Sequence, residues 1–172
     1  LLISQINTAY VRGQVYFERD ILAPQLERLN VQAFRYDGYV ARISSMKSYF
    51  NENMKMLDDV NVDALFSAGN PIYTKIRDDN PARYINGSKV SNIMAADGCI
   101  IEGEVENSIL FRGVRVGKGA WVKNCVLMQD TVIEADAGVE YVVTDKNATI
   151  TRGKIIKGTV TFPVYVAKYQ IV

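Results

Sequence analysis

The sequence predicts a mainly β protein: a parallel β-helix of hexapeptide-like repeats, preceded by a short α/β segment. Three observations carry this reading. The stretches GEVENSILF (103–111) and AWVKNCVLM (120–128) repeat the same order of Val, Asn, small, β-branched and Leu residues 17 positions apart, and GVEYVVTD (138–145) and IIKGTVTF (155–162) keep that register. Positions recur in columns at this step: Cys99, Val116, Ile133 and Ile150; Val105, Val122, Val139 and Ile156; and Phe111, Met128 and Asp145. Upstream of residue 89 the repeat is absent, and turn and helix signals take its place.

In chain order, Pro24 opens a short helical stretch through PQLERL, with Asp20 near its start. VQAFRY and YVARI flank Asp37-Gly38, a dipeptide that tolerates the positive φ of a two-residue hairpin turn. Ser45 is placed to cap a helix whose Met46, Phe50, Met54 and Leu57 share one face. Asn70-Pro71 and Asn80-Pro81 punctuate an extended connector, because the residue before a proline is pushed out of the helical region.

KVSNIMA, from Lys89, resembles EVENSIL at an offset of 15 residues and begins the solenoid. From there the inward positions step by six, six and five, so one 17-residue unit is a coil of three short strands. A single coil cannot bury its interior, whereas stacked coils pair their backbones and line identical columns into a continuous core. Gly119, Asp136 and Gly153 form a corner column, and Asn107 and Asn124 occupy matching corners. The period does not give the handedness.

Composition narrows the function. With 172 residues and 48% apolar content the chain has enough material for a real core. Its 20 basic and 19 acidic side chains nearly cancel, so the field of a nucleic-acid binder is missing. No apolar run approaches the roughly 18 residues that span a bilayer, and the opening LLISQINTAY lacks the pattern of a signal peptide. A cytoplasmic protein is expected, with no nucleic-acid or membrane partner. Histidine is absent, which removes Ser-His-Asp, Cys-His and zinc-histidine chemistry from this chain. The two cysteines, Cys99 and Cys125, read as small buried hydrophobes. The lone GxG, Gly117-Lys118-Gly119, falls inside the repeat, where turn formation explains it better than a phosphate cradle.

FERDIL (17–22), DGYVARISSMKSYFNENMKML (37–57) and GCIIEGEVENSILFRGVRVGKGAWVKN (98–124) together resemble the C-terminal half of the ADP-glucose pyrophosphorylase (glucose-1-phosphate adenylyltransferase) family, most of all its GlgD-type regulatory branch. The resemblance implies a left-handed β-helix over 90–172, a connector over 72–89, and over 1–71 an incomplete C-terminal part of a nucleotidyltransferase-like domain, whose glycine-rich nucleotide loop lies outside the sequence. Catalytic members carry D-F-G-K-D and later Y-W-R-D-V-G-T, followed by a helix containing S-Y. Here the first reads Tyr16, Phe17, Glu18, Arg19, Asp20, and the second Tyr39, Val40, Ala41, Arg42, Ile43, Ser44, Ser45, with Tyr49 in gapless register. Arg42 thus stands where catalytic members place an aspartate that serves the metal and sugar-phosphate end of the pocket. A cation repels Mg²⁺ and offers no acceptor oxygen. Tyr16 likewise replaces an acidic residue and Val40 an aromatic platform, leaving a degenerate sugar-phosphate pocket at Tyr16, Phe17, Val40 and Arg42 with no catalytic residue.

The reading that follows is a non-catalytic regulatory and assembly subunit in bacterial glycogen biosynthesis. Its expected partner is a catalytic ADP-glucose pyrophosphorylase subunit, in a heterotetramer or homo-oligomer. This chain needs no cofactor or metal of its own, and Mg²⁺ and ATP belong to the catalytic partner. The alternatives are a catalytic glucose-1-phosphate adenylyltransferase, against which the substituted pocket argues, and a hexapeptide-repeat acyltransferase, against which the missing histidine argues. Within the repeat, the basic run Arg112, Arg115, Lys118 and Lys123, with Arg152 in the column of Lys118, marks an anionic-effector or interface site. Trp121 precedes the inward Val122 and is expected to point outward, toward an interface or under a folded connector.

Overall fold

The computed structural model describes residues 1–66, 69, 71–74 and 76–172. They form two compact units, Leu1–Asp37 and Gly38–Val172. In the first, helix α1 (Leu2–Val11) is followed by a π-helical turn, Phe17–Leu22, and a 3₁₀ turn, Ala23–Gln25. The predicted PQLERL helix is thus shortened to one 3₁₀ turn, with the carbonyl of Gln25 accepting from the N–H groups of Arg28 and Leu29 beyond it. Gln25 Nε2 donates to Gln5 Oε1 at 2.6 Å, tying the turn to α1.

The expected hairpin around Asp37-Gly38 is not formed. Residues 31–43 contain no strand, and Gly38 lacks the positive φ that a type I′ turn requires. Phe34 is 89% exposed and Val40 70%, so the alternating apolar side chains have no surface to cover, and an isolated two-stranded hairpin is marginal in water.

Helix α2 (Met46–Met54) begins where the sequence places it. Ser45 Oγ accepts from Ser48 N–H at 3.1 Å and Ser48 Oγ accepts from Ser45 N–H at 2.9 Å, a reciprocal capping box. A 3₁₀ turn, Lys55–Leu57, leads to helix α3 (Asp59–Leu65), capped by Asp58, whose carboxylate accepts from Val60 N–H at 3.1 Å. Pro71 and Asn80-Pro81 lie in the extended connector, and Asn70 lies outside the described residues. Among the described residues no helix is long and apolar enough to cross a membrane.

The remaining chain is a left-handed parallel β-helix with three faces. One face stacks Arg83–Tyr84, Ile100–Ile101, Arg115–Val116, Val132–Ile133 and Thr149–Ile150, all parallel. A second stacks the starts of the seven-residue strands Lys89–Ala95 and Glu104–Leu110 on Trp121–Lys123, Gly138–Glu140 and Ile155–Lys157. The third continues from the ends of those long strands through Val126–Leu127, Val142–Thr144 and Val164–Val166. The 17-residue register holds from Glu104↔Trp121 through Glu140↔Lys157. It contracts to 15 at Lys89↔Glu104, as the KVSNIMA alignment predicts, and lengthens to 22 at Val142↔Val164, where Thr159 and Phe162 close a small excursion.

The interior columns are Ile101, Val116, Ile133 and Ile150; Val105, Val122 and Val139; and Leu110, Leu127 and Thr144, all essentially without exposure. Two predicted columns are therefore corrected. Ile101, not Cys99, stands under Val116, because the coil that joins these two is two residues short, whereas Arg83↔Ile100 keeps the step of 17. Phe111 is exposed and Met128 half-buried, so the inward positions of the third column lie one residue earlier, at Leu110 and Leu127. Cys99 and Cys125 are buried free thiols, as expected, and burial pushes the Cys125 thiol up to about 12. Few polar side chains enter the core, and each is satisfied: Ser108 Oγ accepts from Cys125 N–H at 3.0 Å, and the hydroxyls of Thr131 and Thr144 meet at 2.8 Å.

The third face is apolar outside as well as inside. Phe50 of α2 packs on Val126 and Val143, flanked by Tyr49, Met54 and Tyr141, so the helix covers that face and forms a second core. Leu127→Ala leaves a cavity in the inner stack and is expected to lower unfolding free energy by about 2–5 kcal/mol, whereas Val60→Ala, at an exposed position, changes it by less than about 0.5 kcal/mol. Urea unfolding followed by circular dichroism measures both.

Candidate functional site

Tyr16 and Phe17 lie in the first unit, at the start of the π-helical turn, and both are exposed. The Arg19 guanidinium lies 4.3 Å from the Tyr16 ring centroid, and Arg19 Nε donates to Asp20 Oδ1 at 2.7 Å. Asp20 also accepts from the Val15 and Tyr16 N–H groups, at 3.1 and 3.0 Å. The Arg19 hydrogen bond, followed by that of the Tyr16 N–H, holds the Asp20 carboxyl at about 2. This aspartate is thus committed to shaping its own turn.

Val40 and Arg42 lie in the second unit, in the extended stretch before α2, with both side chains exposed. Tyr39 Oη donates to Glu52 Oε2 at 2.8 Å, anchoring that stretch to α2. Among the described residues no three histidine, cysteine, aspartate or glutamate side chains converge as a metal-binding set.

The basic run in the repeat divides among different surfaces, because the chain rounds a corner every few residues. Arg112 and Arg115 border a pocket of about 260 Å³ together with Arg77 and Arg83, and the carboxylates of Asp79 and Asp130. Arg77 pairs with Asp79 at 3.5 Å. Sequence reasoning did not single out Arg77 or Arg83. The signal for Arg83 was available, since it pairs with Ile100 and stands two coils before Arg115 in the same outward column. Lys123 points to another face and pairs with Glu106 at 3.2 Å.

Lys118, Arg152 and Trp121 do come together, on an open groove of about 910 Å³ that also holds Glu102, Glu104 and Asp136. Trp121 points outward as expected but is half-buried. Its indole fills the space over Gly138, where an added Cβ would lie 2.2 Å from Cε2, and Lys157 Nζ sits 5.2 Å from the ring centroid. Glu104 accepts from Lys89 Nζ at 2.6 Å, and that hydrogen bond holds its carboxyl below the usual range.

Three-faced coils with this period define the hexapeptide-repeat class of left-handed β-helices, and residues 76–159 match the family described as GlmU-like, C-terminal hexapeptide. Over 140 residues, 81% of the chain, the sequence is 40% identical to glycogen biosynthesis protein GlgD of Bacillus subtilis (strain 168), of which it spans 41%. It is 49% identical over 70 residues to the GlgD of Geobacillus stearothermophilus, covering 41% of this chain and 20% of that one. It is also 38% identical over 122 residues to the glucose-1-phosphate adenylyltransferase of the same organism, covering 69% of this chain and 31% of the relative. The chain therefore spans between one-fifth and about two-fifths of the length of these curated relatives. These likenesses bear out the resemblance to the C-terminal half of the ADP-glucose pyrophosphorylase family.

Gly138→Ala is expected to dislodge the indole, because the new methyl group and the Trp121 ring cannot share that space. Since the sequence has one tryptophan, a red shift of its emission with unchanged far-UV circular dichroism is the expected result. An unmoved emission maximum would contradict the packing.

Proposed function

We propose that the protein is a non-catalytic regulatory and assembly subunit of ADP-glucose pyrophosphorylase in glycogen biosynthesis. The observation that carries this reading is the cation at position 42, where the family resemblance places the aspartate of catalytic members. Tyr16 and Val40 replace two further pocket groups. The name glycogen biosynthesis protein on two of the relatives supports the same reading. On this account the chain works in the cytoplasm, in an oligomer with a catalytic subunit that binds ATP and Mg²⁺, and residues 1–71 are the end of a nucleotidyltransferase-like domain that has lost its chemistry.

The pocket of Arg77, Arg83, Arg112 and Arg115 is the proposed place for an anionic effector. Four arginines and two aspartates line it, with Arg77 paired to Asp79, and guanidinium offers planar, bidentate donors to phosphate oxygens. Supplied alone with glucose 1-phosphate, ATP and Mg²⁺, the protein is expected to release no pyrophosphate above background. Robust release without a partner would contradict the proposal. With the catalytic subunit present, Arg112→Glu combined with Arg115→Glu is expected to abolish the response to phosphorylated effectors, and an unchanged response and assembly would remove this pocket from consideration.

A further inference from the structure

The groove beside Trp121 differs chemically from the arginine pocket, although the sequence groups their cations in one run. Its lining sets two cations, Lys118 and Arg152, against three carboxylates, Glu102, Glu104 and Asp136. Glu104 is paired with Lys89, and Lys157 beside the indole with Glu140, so the charges around the groove nearly balance and give an anion no net attraction. Carboxylates accept and Lys and Arg donate, so the wall offers closely interleaved donors and acceptors. Vicinal hydroxyl groups, which do both, match such a wall, and the exposed part of the half-buried indole, beside Lys157, adds an apolar edge for the C–H groups of a pyranose ring.

Coil stacking sets this arrangement in advance. Lys118, Ala135 and Arg152 occupy one column at the 17-residue step, so the two cations stand two rungs apart, about 10 Å, across a methyl group. Asp136 sits in the adjoining corner column, its carboxylate folded toward Gly119, where an added Cβ would lie 2.5 Å from Oδ1. The indole is held by the absent Cβ of Gly138 and by Lys157. The groove volume, about 910 Å³, is that of a site for a ligand larger than one sugar.

We propose that this groove is a binding site for a neutral oligosaccharide, with the Trp121 indole as its apolar wall and Asp136, Lys118 and Arg152 as its hydroxyl-binding groups. The site acts on an uncharged chain and is independent of the regulatory role proposed above, so either can fail alone. Titration calorimetry of the protein with maltoheptaose, and in parallel with inorganic phosphate, tests it. The expected result is saturable binding of maltoheptaose with a matching change in tryptophan emission, and no competition by phosphate. Trp121→Ala, and separately Asp136→Asn with Arg152→Gln, are each expected to weaken that binding at least tenfold while the far-UV spectrum is unchanged. No heat with maltoheptaose at millimolar concentration, phosphate binding in its place, or binding that survives both variants would overturn the assignment.

Discussion

The structure depends on a backbone constraint: at most corners of the coils one residue adopts a positive φ, the shortened corner at Glu102–Gly103 being an exception. One corner column runs Asn92, Asn107, Asn124 and Tyr141, a second Gly98, Gly113, Asp130, Asn147 and Tyr169, and a third Gly119, Asp136 and Gly153. The left-handed region costs most L-residues about 1–2 kcal/mol, which is why glycine, asparagine and aspartate hold nearly all of these places. The asparagine column also bonds along its own length: Asn92 Nδ2 donates to Asn107 Oδ1 at 2.7 Å, and Asn107 Nδ2 to Asn124 Oδ1 at 2.5 Å. With the corners fixed in register, aliphatic side chains coincide from coil to coil and the inner core follows.

The two tyrosines in these columns are the exceptions, and one has a visible compensation. Tyr141 continues the asparagine column, and its ring packs against Phe50 with centroids 6.2 Å apart. That contact links the corner to the helix covering Val126 and Val143. The strained backbone and the docked helix thus meet at one residue. The surfaces outside the core inherit the same order, since a column carrying Lys118, Ala135 and Arg152 aligns chemistry as strictly as a column of valines aligns packing.

Much of this was legible because a solenoid writes its three-dimensional neighbours at constant sequence spacing. Val105, Val122 and Val139, the corner residues Gly119, Asp136 and Gly153, the 15-residue offset at Lys89, and the Ser45 cap all stand where the sequence placed them. Spacing failed where the coil length changed, as at Cys99, and where adjacent apolar residues blurred which faces inward, as at Leu110-Phe111. The doubled run Cys125-Val126-Leu127 was an unread signal that this face is buried on both sides, by the core and by α2. Local turn chemistry misled at Asp37-Gly38, because a favourable dipeptide cannot hold a hairpin that has nothing to cover. In the site, the linear cluster of cations concealed that consecutive corners send Arg112 and Lys118 to different surfaces.

On the proposed reading, in which Arg42 stands where the family resemblance places an aspartate of catalytic members, the chain presents surfaces and a partner subunit performs the transfer. Sedimentation velocity of the protein mixed with a catalytic glucose-1-phosphate adenylyltransferase subunit tests that claim most directly. The account predicts a stoichiometric complex sedimenting faster than either component, with altered kinetics of the catalytic subunit in the same fractions. Two independent boundaries with unchanged kinetics would contradict it.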